Sequence, residues 1–334
     1  MGWSRLETRA AILDYLWRSG GSFRPQLISH VGLTDASVSR ILNDLRSEGL
    51  IDEARRRASY RGGPSVFLSL NEARHLGAIE LSNGVVHAGL GSLGGKVALS
   101  AAWPLADGAS AVATQQAIEG AIVQLRSWAQ DLAQPLAQIA ISVPGYRPER
   151  VANPIISFDG ARTLDQIEAQ LPGTPVAIAN SIVARTLSHR ISVSPTPKED
   201  PYLYLFLGHG VGAAFVDEHG EGEGLTIYEL GHNVIAREGL RCRCGHRGCL
   251  EAYVSTGALA DLLAVPEGEI LAGRMPAVDD LPPSVLREIE HRLVELGLVV
   301  GNALNLKHVS RIIVAGWPEW LGRRAKDSLV AGID

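Results

Sequence analysis

The stretch Gly239-Leu-Arg-Cys242-Arg-Cys244-Gly245-His246-Arg247-Gly248-Cys249-Leu-Glu251 holds all three cysteines of the chain within eight residues. His232 precedes the first of them by ten positions. Soft sulfur and imidazole donors are what Zn²⁺ takes, and Cys₃His is one of its closed structural sets. The glycines let the backbone wrap tightly enough for three sulfurs to reach one ion. The alternative is three unrelated thiols, but scattered cysteines rarely cluster this way. His232, Cys242, Cys244 and Cys249 are therefore the candidate ligands of a structural zinc.

Around this motif lie 334 residues, 46% hydrophobic and 5% aromatic, enough for two or three domains with ordinary cores. No apolar run is long enough to span a bilayer, and the start, Met-Gly-Trp-Ser-Arg, lacks the apolar stretch of an export signal. Free cysteines without such a signal point to a reducing cytoplasm and to no membrane partner. The net charge of −5 is unevenly placed: residues 1–66 hold ten Arg against seven Asp and Glu, a local +3, and the remainder carries −8. A basic head on an acidic body leaves only the head suited to a polyanion.

Within the head, residues 5–17 read as an amphipathic helix with Leu6, Ala10, Ile12, Leu13, Leu16 and Trp17 apolar. Ser19-Gly-Gly21 breaks it, and a short helix follows from about Arg24 to His30. Thr34 is a good N-cap for a third helix over about 35–48, whose apolar stripe is Val38, Ile41, Leu42 and Leu45. Its other face carries Ser37, Ser39, Arg40 and Asn43, groups suited to base edges and phosphates in a major groove. Leu50-Ile51 and Val66-Phe67-Leu68 read as two strands. Between them Arg55-Arg56-Arg57-Ala-Ser-Tyr-Arg61-Gly62-Gly63 reads as the basic tip of a wing, with Arg57, Arg61 and Gly62 placed to enter a minor groove. Residues 1–70 thus form a winged helix-turn-helix, and double-stranded operator DNA is the expected partner. The other reading of the same residues is a small helical adaptor with a solvated charge run.

From residue 71 strands alternate with helices: about 76–81, 85–90, 96–100, 139–143 and 176–179 in a first lobe (71–190), then 202–207 and 311–315 in a second (191–334). Helices are expected over about 111–132 and 285–306. This alternation predicts an α/β body with a mostly parallel sheet in each lobe, and a ligand cleft where two lobes meet.

The cysteine motif, with Glu229-Leu-Gly231-His232 upstream, resembles the signature of the ROK family (repressors, open reading frames, kinases), and the resemblance covers nearly the whole chain. It implies a two-lobed actin-like, ribonuclease H-like sugar-kinase fold with zinc, and, in the repressor branch, an N-terminal winged helix. It also implies that Glu229, His232 and Glu251 line a sugar site. Carboxylates suit sugars because each oxygen accepts hydroxyl protons. Asn180 and, before Pro154, Asn153 are further candidate contacts. The other reading of Glu251 is a partner of the metal ligands or a surface carboxylate.

Family kinases carry an Asp after the Asn that ends the first lobe's strand, and that Asp takes the sugar's proton. Here the pair is Asn180-Ser181, and a serine hydroxyl is far too weakly basic for the task. The opening Asp-x-Gly-Gly-Thr of the kinases is Glu80-Leu-Ser82-Asn83-Gly84, and their second glycine turn is Gly208-His209-Gly210-Val-Gly212-Ala-Ala214. The late Gly-Gly is Ala315-Gly316, and the chain ends about 18 residues beyond it, short of the family's final helices. Phosphoryl transfer is mostly the positioning of charge and base. The expectation is therefore no catalytic residue and no enzyme activity. The chain reads as a cytoplasmic regulator, a repressor of sugar metabolism that senses a sugar or sugar derivative and works as a homodimer or homotetramer. The alternatives are a sugar kinase with an added regulatory domain, and a regulator that answers to a protein partner.

Overall fold

Val38, Ile41, Leu42 and Leu45 return to one face of a helix every three or four residues, and all four are buried in the head. The computed structural model describes residues 5–57, 64–82, 84–106, 109–145, 152–153, 158–193, 201–217 and 224–333. The chain divides into two units, Met1–Pro197 and Lys198–Asp334.

The first unit begins with α1 (Arg5–Ser19), β1 (Ser22–Phe23), α2 (Arg24–Val31) and α3 (Asp35–Ser47). Thr34 caps α3 by accepting the Ser37 backbone N–H at 3.3 Å. Strands β2 (Ile51–Arg57) and β3 (Pro64–Leu70) follow, and β3 lies between β1 and β2, antiparallel to both. Three helices and this small sheet make a winged helix-turn-helix. Two expectations change here. Leu6 faces solvent at 78% exposure, while Thr8, Ile12 and Leu16 make the buried face of α1. Arg55, Arg56 and Arg57 do not belong to a loop tip; they pair with Val66, Ser65 and Pro64 as an edge strand. An edge strand satisfies the backbone on one side while its long basic side chains stay in water, a common way of blunting an edge. Arg61 and Gly62 lie outside the described residues.

The first lobe runs β4 (His75–Ser82), β5 (Val85–Ser92), β6 (Val97–Pro104), α4 (Ala111–Gln130), β7 (Gln138–Val143), β8 (Ala152–Asn153), β9 (Phe158–Asp159), α5 (Gly160–Gln170), β10 (Val176–Asn180) and α6 (Ser181–Val193). Its five-stranded sheet has the order β10-β7-β4-β5-β6. Helix α4 lays Ile118, Ile122 and Leu125 against Val86, Ala88 and Ile139 of that sheet.

The second unit runs β11 (Tyr202–Leu207), β12 (Val211–Val216), β13 (Leu225–Tyr228), α7 (Glu251–Val254), α8 (Thr256–Leu263), α9 (Glu267–Leu271), α10 (Pro283–Leu306), β14 (Arg311–Gly316) and α11 (Arg323–Ile333). Its sheet order is β13-β12-β11-β14. Neither sheet is mostly parallel. In the first, β4 pairs in parallel with β7 and β7 with β10, but β4, β5 and β6 form an antiparallel meander. In the second, only β11 and β14 run parallel. The reason is connection length: links of a few residues, such as Gly208-His-Gly210, can only reverse the chain, and a parallel step needs a helical crossover. Three antiparallel strands followed by a parallel strand that enters through a helix, once in each unit, is the actin-like pattern that the sequence implied. Among the described residues no helix is long and apolar enough to cross a membrane.

Candidate metal centre and nucleic-acid interface

The metal loop is shaped by two short antiparallel bridges, Val234 with Cys249 and Arg241 with Arg247. The Cys242 N–H donates to the His246 carbonyl at 2.8 Å, and Gly245 N–H returns to the Cys242 carbonyl at 3.0 Å. Gly248 is the tightest point. Its φ is 73°, and an added Cβ would stand 1.6 Å from the Ala236 carbonyl oxygen. Gly248→Ala is therefore expected to spoil the loop, costing about 3 kcal/mol or more from strain and backbone collision combined. Metal-to-chain ratio and melting temperature check it, and a variant with both unchanged would show that the loop can refold around a methyl group.

His232 ends a single 3₁₀ turn, Leu230–His232, and Glu229 sits immediately before that turn, exposed. The donor atoms of His232, Cys242, Cys244 and Cys249 lie within 4.8 Å of one another. Cys244 and Cys249 sulfurs are 3.6 Å apart, and Cys242 Sγ is 3.8 Å from His232 Nδ1. Metal bonds of about 2.0–2.3 Å in a tetrahedron would set such edges at about 3.5–3.8 Å. The donor set therefore fits one small, soft divalent ion. Burial pushes the Cys249 thiol up to about 12, and burial raises Cys242 as well. Cys244 is exposed, and hydrogen bonds from the His246 backbone first, then its side chain, bring it down to about 6. An entering cation would thus meet one ready thiolate and displace protons from two buried thiols.

Glu251, the first residue of α7, is half-buried beside this cluster. Its Oε1 is 3.9 Å from Cys242 Sγ, and its Oε2 accepts the Val211 N–H at 3.0 Å. The carboxylate therefore ties the metal loop to the Gly208–Gly210 turn. Sequence reasoning missed a second tie. Arg243 Nη1 lies 2.8 Å from His209 Nδ1, which is 3.0 Å from Glu267 Oε1, while Thr256 Oγ donates to that same oxygen at 2.5 Å. Nδ1 can accept from Arg243 or donate to Glu267, but a given tautomer does one of these only. Burial opposes the charge on Glu267, yet Thr256, His209 and Arg243 together hold its pKa below the ordinary carboxylate value. His209 and Glu267 are 58 residues apart, so nothing local in the sequence announces the pair.

The turn itself is internally bonded. Gly208 N–H donates to the Gly210 carbonyl at 3.0 Å, and Thr256 N–H to the Gly208 carbonyl at 2.8 Å. Two N–H groups of the stretch, those of Gly208 and Val211, are thereby spent inside the protein.

The other candidate residues belong to the first unit. Asn153 closes the two-residue strand β8, opposite Phe158. Asn180 closes β10, and its Oδ1 accepts the Ile182 N–H at 3.0 Å, which caps α6. Ser181 opens α6 and is half-buried. On α3, Ser37, Arg40 and Asn43 are exposed opposite the buried stripe. Ser39 is half-buried; its hydroxyl donates to the Asp35 carbonyl at 2.6 Å and accepts from Arg24, which leaves it less to offer a ligand than its neighbours. Asn43 Oδ1 accepts from Arg46 at 3.0 Å. On β2, Arg56 stacks 4.2 Å above the Phe67 ring, and the strand's alternation sends Arg55 and Arg57 to the opposite face, exposed.

A winged helix-turn-helix ahead of two actin-like sheets, the second bearing a Cys₃His loop, defines a chain that joins a winged-helix head to a body with the sugar-kinase type of fold. The ROK family model matches residues 106–317, and the chain belongs to the ROK family. It is 27% identical over 267 residues to the DNA-binding transcriptional repressor Mlc of Escherichia coli K12, covering 76% of this chain and 65% of that one. It is 25% identical over 329 residues to the N-acetylglucosamine repressor of Escherichia coli O6:H1, covering 92% and 79%. A ROK family transcriptional regulator described as a homolog of the Escherichia coli Mlc protein shares the fold over 99% of this chain and 88% of its own, at TM-score 0.73 and 23% identity. The fold extends to kinases: a ROK glucokinase from Streptomyces griseus, solved with glucose and AMPPNP, superposes at TM-score 0.57 and 20% identity over 78% of this chain and 89% of its own.

Proposed function

We propose that this chain is a cytoplasmic, DNA-binding transcriptional repressor of sugar metabolism. The observation that carries the reading is α3: its apolar face is buried in the head, and Ser37, Arg40 and Asn43 stand exposed on the other. Two such heads in a homodimer, or pairs of them in a homotetramer, would place their third helices in successive major grooves, with Arg57, Arg61 and Gly62 of the wing toward the minor groove. The repressors named among its relatives, one of them for N-acetylglucosamine, support both the activity and a sugar or sugar derivative as effector. Asn153, Asn180, Glu229, His232 and Glu251 are the residues assigned to hold it. Zn²⁺ is assigned to His232, Cys242, Cys244 and Cys249 as a structural ion, whose chemistry when bound is to clamp the loop that carries His232 and Glu251. The effector acts by favouring one arrangement of the heads over another.

The chain is assigned no kinase activity. Ser181 stands where a general base would be needed, and the glycine turn has spent the Gly208 and Val211 N–H groups internally, so a phosphate would find few donors there. Selection of duplexes from a random library by the full chain, followed by titration in the presence of glucose, xylose or N-acetylglucosamine, tests the assignment. One enriched motif whose affinity a sugar changes is expected. Failure to enrich any sequence, or transfer of γ-phosphate from ATP to a sugar in a coupled assay, would overturn it.

A further inference from the structure

Helix α6 touches a different part of the first unit at each end. Its thirteen residues span about 20 Å. At the start, Asn180 caps it, and Arg185 Nη2 donates to Glu80 Oε1 of β4 at 2.8 Å, an oxygen that also receives the Ser82 hydroxyl at 3.4 Å. Ile182 and Thr186 are buried, and the Thr186 hydroxyl donates to the Ile182 carbonyl at 2.7 Å, so this first turn is firmly seated. Toward the far end, Arg190 Nη2 lies 3.6 Å from Asp14 Oδ2, which belongs to α1 of the head. The same carboxylate takes Arg18 Nε at 3.0 Å. The Arg18 side chain is 4% exposed and that of Arg190 22%, while Asp14 between them is 41% exposed. Water screens the carboxylate in part, so the link is a geometric one, two packed arginine side chains sharing a single anion, and not a strong electrostatic clamp. Asp14 lies between Ile12 and Leu16, which are core residues of the head, so α1 cannot shift at Asp14 without moving that core. A second contact sits nearby: a Cβ on Gly95 in the β5–β6 turn would be 2.9 Å from the Trp17 ring. Trp17 against the turn supplies a pivot, and Asp14 with Arg190 supplies a lever.

We propose that α6 is the coupling strut of the molecule: occupancy of the Glu80–Asn180 corner displaces α6, and Arg190 passes the displacement to the head through Asp14. This rests on the reading of Asn180, which stands at that corner, as part of the effector site and of the head as the DNA reader. No contact between the two ends is needed beyond the helix itself.

The test is a double-mutant cycle on the full chain with Glu80→Gln, Asp14→Asn and both together. Amide exchange of residues 8–19 is read in each. With Asp14 present, Glu80→Gln is expected to change exchange across α1 about fivefold; with Asp14→Asn in place the route through Arg190 is cut and the change should be less than about twofold, whereas uncoupled sites would simply add. Equal effects in both backgrounds would overturn the strut. Should Asp14→Asn unfold the head, seen as exchange at the unchained rate and lost helical dichroism, Arg190→Gln replaces it, since that variant keeps the Asp14–Arg18 pair. The affinity of each variant for a duplex selected by the parent chain is read in parallel. If no duplex is ever enriched, the head's assignment fails by itself, and the exchange cycle still decides the strut.

Discussion

Cys249→Ser is expected to purify with little metal and to melt well below the parent chain. Cys249 is 1% exposed and stands in an antiparallel bridge with Val234, so no other thiol can swing into its place. A serine hydroxyl is a poor ligand for a soft ion. Structural zinc holds small zinc-finger peptides with roughly 10–16 kcal/mol, because nothing else folds them. Here the loop is attached to a unit with its own core, and the loss should be smaller, about 2–4 kcal/mol. For a domain of this size that corresponds to a fall of roughly 5–15 °C in melting temperature. Elemental analysis and calorimetry give the two numbers. The histidines sharpen the result. His232→Ala should lose metal as Cys249→Ser does, whereas His246→Ala should keep it, although His246 Nδ1 lies 3.5 Å from Cys244 Sγ. Full metal and an unchanged melting temperature in Cys249→Ser would remove the ion from the account altogether.

The clustering of His232 with Cys242, Cys244 and Cys249 was legible because it is local: three thiols and an imidazole within a short stretch have few uses other than a shared ion. The helices of the head were legible for a related reason, since Val38, Ile41, Leu42 and Leu45 repeat at a period that only a helix turns to one side. The wing was read less well. A run of three arginines looks like a loop when charge alone is considered, yet Arg55–Arg57 pair as a strand, because the backbone of an edge strand is indifferent to what its side chains do in water. The sheets depart from expectation for the opposite reason. Alternation of strands and helices suggests parallel sheets, but the short links decide direction. What could not be read at all are the long-range ties: His209 with Glu267, Glu251 with Val211, Asp14 with Arg190. Each joins residues that only the tertiary fold brings together. Each is also a polar contact whose partner residue types recur many times along the chain.

Arg40→Ala and Arg57→Ala are expected to weaken operator binding in different ways. Arg40 lies on the exposed face of α3, where a guanidinium can reach base edges. Its loss should cost about 1–3 kcal/mol on the selected sequence, roughly 5- to 150-fold in affinity, and should relax preference at one position of the site. Arg57 lies on the wing strand and would meet phosphate or the minor groove, so its loss should weaken binding to all duplexes alike and lower the salt slope by about one. Two other arginines of the head serve as controls. Arg5 already holds Asp44, and Arg9 holds Glu48. Exposed pairs such as Arg5 with Asp44 contribute little to stability, at most about 1 kcal/mol, and their charges are compensated before DNA arrives. Arg5→Ala should therefore change affinity by less than about threefold at any salt. The contrast matters because a basic head binds polyanions weakly whatever its shape. If Arg40, Arg57 and Arg5 all behaved alike, and only in proportion to charge, the head would be a generic cationic surface and not a reader of sequence.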